Sequence, residues 1–226
     1  MIDSFQKILV IAAHPDDEVL GVGGTIPLLA QAGKTVDVLI FTDGSSTQYA
    51  GDDKILEHKF KEAELAMKTM GANLLPRMTF PDMRLDTVAH VDKNSALGEI
   101  IQKGQYDTVF VQDHTDVNRD HKEIYDSAVV ACRPVPGQCV RYLLSYYVNS
   151  STEWGNILGG QWFSPNVFVD ISETLEIKLK AMEAYQTELR DHPHPRSLEG
   201  LRTAAAYFGN TVGYQYAEPF RLIFAR

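Results

Sequence analysis

The run Ile8–Ala13 (ILVIAA) is apolar at every position and ends directly in His14-Pro15-Asp16-Asp17-Glu18. A short, uninterrupted run rich in Ile and Val is the mark of a strand buried on both faces. Pro15 sits where a helix can begin, and the acidic residues after it complement a helix dipole in its first turn. The chain therefore starts with a buried strand whose end carries a histidine and three carboxylates.

The rest of the chain alternates in the same way. Strands are expected over Thr35–Thr42, Asn73–Phe80 and Thr108–Gln112, with two more over Tyr142–Val148 and Asn166–Val169. Helices are expected from Pro15 through Leu28–Gln31 to a stop near Gly33, and over Leu56–Gly71, Asn94–Lys103, Asp120–Arg133, Leu175–Leu189 and Leu198–Phe208. Asp43–Gly51, Pro81–Asp86 and the segment DHPHPRSLEG read as turn or loop. Gly21, Gly23 and Gly24 weaken the first helix, so each implies close approach of a backbone or a ligand. Strands alternating with helices predict an α/β, Rossmann-like three-layer fold around a mainly parallel sheet. With 226 residues, 44% of them hydrophobic, the chain suits one domain over residues 1–226.

Charge narrows the function. The formal net charge is -9, and no run of Lys or Arg stands out. Such a chain lacks the electrostatic footprint for nucleic acid or an anionic membrane. A neutral or cationic small molecule suits it better. No apolar stretch approaches the length of a membrane span, and the N-terminus has no cleavage-site pattern; a cytoplasmic protein is expected. Cys132 and Cys139 are too few for a disulfide framework and read as reduced thiols. The oligomeric state is not legible, and a homo-oligomer is compatible with the chain.

His14 and Asp17 fall at the end of the first strand, and open parallel sheets bind ligands at such ends. The cluster HTDVNRDH, His114–His121, follows the strand Thr108–Gln112. If those two strands are neighbours, His14, Asp17 and His121 can meet. Two imidazoles and a carboxylate make a catalytic zinc set with one position open for water. Zinc acidifies that water, and Asp16 could take its proton. The set suits hydrolysis of an amide or ester. Taken singly, each residue also has a plain structural reading: a histidine at a strand end, or acidic residues capping a helix.

The pattern AHPDDE after a first strand, with a downstream DH opening a later helix, resembles the LmbE/PIG-L family of zinc-dependent N-acetylglucosaminyl deacetylases. The segments SSTEW, FSPNVFVDIS and HPHPRS also look like family segments. The resemblance implies a hydrolase removing an acetyl group from an N-acetylated sugar, with one zinc per chain on His14, Asp17 and His121. It makes Asp16 the general base and Asp120 an orienter of a ligand. One position departs from the family. Better-known members often carry a histidine three residues before the last ligand, where this chain has Asn118. An amide can donate to an oxyanion but cannot deliver a proton, so His114 or His194 becomes a candidate acid beside Asp16 itself.

Substrate contacts are expected from Arg84, Trp154, His194 and Arg196. Arg84 has an ion pair with Asp82 or Asp86 as its alternative, Trp154 a place in the core, and Arg196 a solvated loop. Two other readings stand beside the deacetylase: another metal-dependent hydrolase, and a sugar-binding or regulatory protein on an inactive scaffold, which Asn118 alone favours.

Overall fold

A computed structural model describes residues 2–44, 53–157 and 161–226. Most of the turn expected over Asp43–Gly51 lies outside them. The described residues form one sheet of seven strands: β1 (Lys7–Ala12), β2 (Thr35–Ile40), β3 (Asn73–Leu74), β4 (Thr108–Gln112), β5 (Tyr142–Tyr146), β6 (Val167–Asp170) and β7 (Ala217–Ala225). Their order is β3-β2-β1-β4-β5-β7-β6, and β7 is the strand that runs antiparallel to both its neighbours.

β1 is covered on both faces, as its composition requires. Ile8, Val10 and Ala12 enter one core, shared with α1 (Asp17–Val22), α2 (Thr25–Gln31), α3 (Asp53–Met70), α7 (Leu175–Ala184) and α8 (Leu198–Val212). Leu9, Ile11 and Ala13 enter a second core with α4 (His90–Gly104) and α5 (Arg119–Ala131). Each such fully buried Ile, Leu or Val contributes roughly 1.5–3 kcal/mol of transfer free energy. The result is the three-layer α/β architecture expected.

Several elements differ from expectation. The first helix is two helices, α1 and α2, separated at Gly23 and Gly24. The start of α2 is held instead by a long-range contact: Glu218 of β7 accepts from the main-chain nitrogens of Gly24 and Thr25, each at 2.8 Å, and Lys178 pairs with it at 2.6 Å. The strand expected over Asn73–Phe80 is ladder-paired only at Asn73–Leu74, with a single further bridge from Phe80 to Thr42. The intervening Pro76 has no N–H to donate to a ladder. α7 ends at Ala184, five residues before the expected Leu189. β7 and a short helix α6 (Thr152–Ile157) were not anticipated. No described helix is long and apolar enough to cross a membrane.

Gly21 lies in the last turn of α1, and inside a helix alanine normally stabilises by roughly 1 kcal/mol over glycine. Here a Cβ would lie 2.1 Å from the Tyr146 ring. That ring is pinned because Tyr146 donates to the Ile11 carbonyl at 2.8 Å. Gly21→Ala should therefore destabilise, by about 1–3 kcal/mol as overpacking does. A rise in Tm on thermal denaturation would refute this.

Candidate active site

From β1 the chain passes to β2 and β3 on one side, then returns to β4 on the other. The crevice outside the carboxyl ends of β1 and β4 is thus the switch point where open α/β sheets take ligands. The pairing of Ile8 with Thr108 and Val10 with Phe110 sets the two strand ends side by side. His14 leaves β1, Asp17 opens α1, and His121 lies in the first turn of α5.

These three side chains converge. His14 Nδ1 is 3.3 Å from Asp17 Oδ2. His121 Nε2 is 3.3 Å from the same oxygen and 3.3 Å from His14 Nδ1. Ligands held tetrahedrally at zinc's usual bond lengths stand roughly 3.3–3.6 Å apart. The donor set and its spacing therefore fit zinc. Burial would push the Asp17 carboxyl up, but the His121 and His14 imidazoles outweigh it and hold it well below the usual carboxylate range.

Each imidazole has a carboxylate on its outer nitrogen, the arrangement that fixes tautomer and ring orientation in metal sites. Asp120 Oδ2 lies 3.2 Å from His14 Nε2, so Asp120 orients His14 rather than the adjacent His121. The partner of His121 is Asp116, with Oδ2 3.0 Å from Nδ1. Asp116 is fully buried and also accepts from Ser151 Oγ, from Thr152 Oγ1 at 2.7 Å and from the Asn118 nitrogen at 2.7 Å. Burial opposes its charge, but His121 and these donors hold its carboxyl below the ordinary value. Gln112, the polar end of β4, donates to Asp17 Oδ2 at 2.9 Å. Sequence reasoning missed Asp116 and Gln112. The signal for Gln112 was a polar residue closing an apolar strand; nothing local marked Asp116.

Asp16 occupies the N-cap position of α1, yet its carboxylate caps nothing. Its φ of 119° is rare for a residue with a side chain. Strain of this kind, roughly 1–3 kcal/mol, persists where the surroundings enforce it. Glu18 Oε2 receives the Asp16 N–H at 3.3 Å, and Arg196 Nη1 donates to Asp16 Oδ2 at 3.2 Å. Burial, then the Asp17 charge, pushes the Asp16 carboxyl well up, and Arg196 opposes this. Arg196 also bonds Glu188 at 3.0 Å, and Glu188 pairs with Lys59 at 2.8 Å.

A cavity of about 250 Å³ opens above the three converging side chains. Asp16, Asn118 and Arg196 line it. Asn118 caps α5, its Oδ1 accepting from the Asp120 nitrogen at 2.9 Å; its Nδ2 faces Met83 Sδ at 3.8 Å. The other expected residues are not brought in. His114 packs on the Tyr125 ring with Nε2 3.0 Å from Gln161 Oε1, so it is not a wall residue. His194 is tied locally, its Nδ1 accepting from the Arg196 nitrogen at 3.1 Å. Among the described residues the wall holds no histidine besides His14 and His121. Arg84 is exposed because its loop is pinned at the next residue: Leu85 donates to Asp120 Oδ1 at 3.0 Å, and Lys93 donates to the Leu85 carbonyl at 2.6 Å. That turns Asp82 and Met83 to the cavity instead. Trp154 is 51% exposed on α6, outside the wall. The helix rests its other side on the chain at Gly155, where a Cβ would come within 1.8 Å of the Thr115 carbonyl.

The model of the family described as PIG-L, GlcNAc-PI de-N-acetylase, matches residues 9–132. The chain belongs to this family. The match spans β1 through α5 and so contains all three converging side chains. A deacetylase of Escherichia coli, described as uncharacterised and called YaiS, is 32% identical over 192 residues, covering 80% of this chain and 91% of its own. The diacetylchitobiose deacetylase of Thermococcus kodakarensis is 25% identical, covering 96% of this chain and 83% of its own. In three dimensions the chain resembles the N,N'-diacetylchitobiose deacetylase of Pyrococcus horikoshii, with a TM-score of 0.80 at 24% identity over 98% of this chain and 85% of that one.

Proposed function

We propose that this PIG-L family chain is a zinc-dependent N-deacetylase that hydrolyses the acetamide of an amino sugar or sugar conjugate to acetate and a free amine. The observation that carries this reading is the triangle of His14 Nδ1, Asp17 Oδ2 and His121 Nε2, with a carboxylate beside it that caps nothing. When bound, one zinc ion supplies Lewis acidity, polarising a carbonyl and lowering the pKa of water toward neutrality.

The chain's own residues do the rest. Asp16 takes a proton from the attacking water. With no other histidine in the described wall, the same carboxyl returns that proton to the leaving amine. Asn118 Nδ2 donates a hydrogen bond to the developing oxyanion. Arg196, expected from sequence at the substrate, acts in this reading as the positioning residue of Asp16, held from behind by Glu188. Asp120 and Asp116 keep His14 and His121 in their ligand orientations.

The test is zinc content together with acetate release from a panel of N-acetylglucosamine conjugates, before and after chelation. About one zinc per chain is expected, with release lost on chelation and restored by metal. Bound zinc with no release from any member would favour an inactive scaffold, and absence of stoichiometric metal would overturn the reading.

A further inference from the structure

Apart from the three converging ligands and the carboxylates Asp16 and Asp82 beside them, the charged residues of the cavity wall are Lys59, Arg190, Arg196 and Glu188. Counted over the whole wall, three cations, Lys59, Arg190 and Arg196, share it with four carboxylates, Asp16, Asp17, Asp82 and Glu188, in a chain whose net charge is -9. The whole-chain charge had suggested a neutral or cationic ligand, but the wall also carries these three cations. It is the local charge that a bound ligand meets.

The three cations are not equally engaged. Lys59 Nζ donates to the Gly44 carbonyl at 3.0 Å and pairs with Glu188 at 2.8 Å. Arg196 Nη1 divides between Asp16 and Glu188. Those two bonds use both oxygens of Glu188. Arg190 has no carboxylate partner among the described residues. Its Nη1 is anchored on the main-chain carbonyls of Thr187 at 2.8 Å and Leu189 at 2.9 Å, and its Nε and Nη2 meet no protein acceptor there. Arg190 is exposed, whereas Arg196 Nε is buried without a partner.

A guanidinium tied down at one nitrogen has lost much of its freedom before a ligand arrives, so little more is lost on binding. Its free edge has the geometry to take two oxygens of a carboxylate or phosphate side by side. We propose that Arg190 binds an anionic substituent, carboxylate or phosphate, on the N-acetyl sugar or its first attached group. The cavity is smaller than the roughly 300–1,000 Å³ of drug-sized sites, which places the anion close to the sugar. The proposal rests on the deacetylase reading for the sugar itself.

The test compares kcat/KM for the methyl glycoside of N-acetylglucosamine, its 1-phosphate, its 6-phosphate and a glycoside with a carboxylate in the aglycone. Wild-type protein should favour at least one anionic member over the neutral glycoside, and which member it favours distinguishes phosphate from carboxylate. Arg190→Gln should cut that ratio by about 10- to 100-fold, the usual worth of a hydrogen bond to a charged group. Arg190→Lys, which keeps the charge without the fork, should fall between. Lys61→Gln, a change of the same charge at an exposed pair on α3, should leave the ratio as in wild type. The same sugars are titrated by calorimetry into zinc-loaded Asp16→Asn protein. A preference seen in binding without any hydrolysis by wild type would overturn the deacetylase reading and keep this one. No anionic preference in either measurement, or a ratio unmoved by Arg190→Gln, would overturn it.

Discussion

Asp16→Asn should keep about one zinc per chain and lose activity by about 10²- to 10⁴-fold in kcat, the range for removing a general base. Asp16 is outside the triangle of His14, Asp17 and His121, so the metal set is untouched. Asparagine keeps the size of the side chain, and its carbonyl oxygen can still accept from Arg196 Nη1. What it lacks is the capacity to take a proton from water and return it to an amine. Because that proton moves only in the reaction, kcat and kcat/KM should fall together with little change in KM. Wild-type kcat in the zinc-loaded variant would rule Asp16 out as the base.

The second large effect is expected at Asp116, a residue that touches no substrate. Asp116→Ala removes the carboxylate beside His121 Nδ1 and the acceptor of Ser151, Thr152 and the Asn118 nitrogen in one step. Loss of such an orienting carboxylate typically lowers metal affinity about 10- to 100-fold. Breaking a buried charged pair also destabilises by roughly 3–5 kcal/mol. Zinc titration against a competing chelator reads the first effect, and denaturant unfolding reads the second. Asp116→Asn keeps an acceptor oxygen and should lose affinity with a smaller loss of stability. Since Asp116 titrates below its ordinary value, its stabilisation is present at neutral pH and fades as the pH drops below about 4. Unchanged zinc affinity in Asp116→Ala would mean that His121 needs no partner to hold its orientation.

The contrast between these two residues shows where sequence information lies in this protein. Asp16 was legible because its setting is local: an apolar strand runs almost straight into it, and the next residue is one of the proposed metal ligands. Asp116 lies five residues before His121 in a loop of ordinary polar composition, and its partners Ser151 and Thr152 come from the turn after β5 and the start of α6. Asn118 illustrates a partial reading. Its place before the last ligand marked it for chemistry, but its oxygen is committed to capping α5, which leaves only its nitrogen for an oxyanion.

Periodicity and strand-end chemistry in the sequence alone determined the α/β alternation and the central buried strand, and marked His14, Asp17 and His121 as the ligands proposed above. Each of these follows from residues within one turn of helix or one strand, where backbone geometry dictates which side chains share a face. Tertiary structure decided that β1 and β4 are neighbours, and so that the three proposed ligands meet. It also turned His114 toward Tyr125, Arg84 toward solvent and Arg196 onto Asp16, and it closed the start of α2 with Glu218 from the last strand. Those outcomes depend on which surfaces pack together, and contacts between separate elements leave no mark in the local pattern of apolar and polar positions.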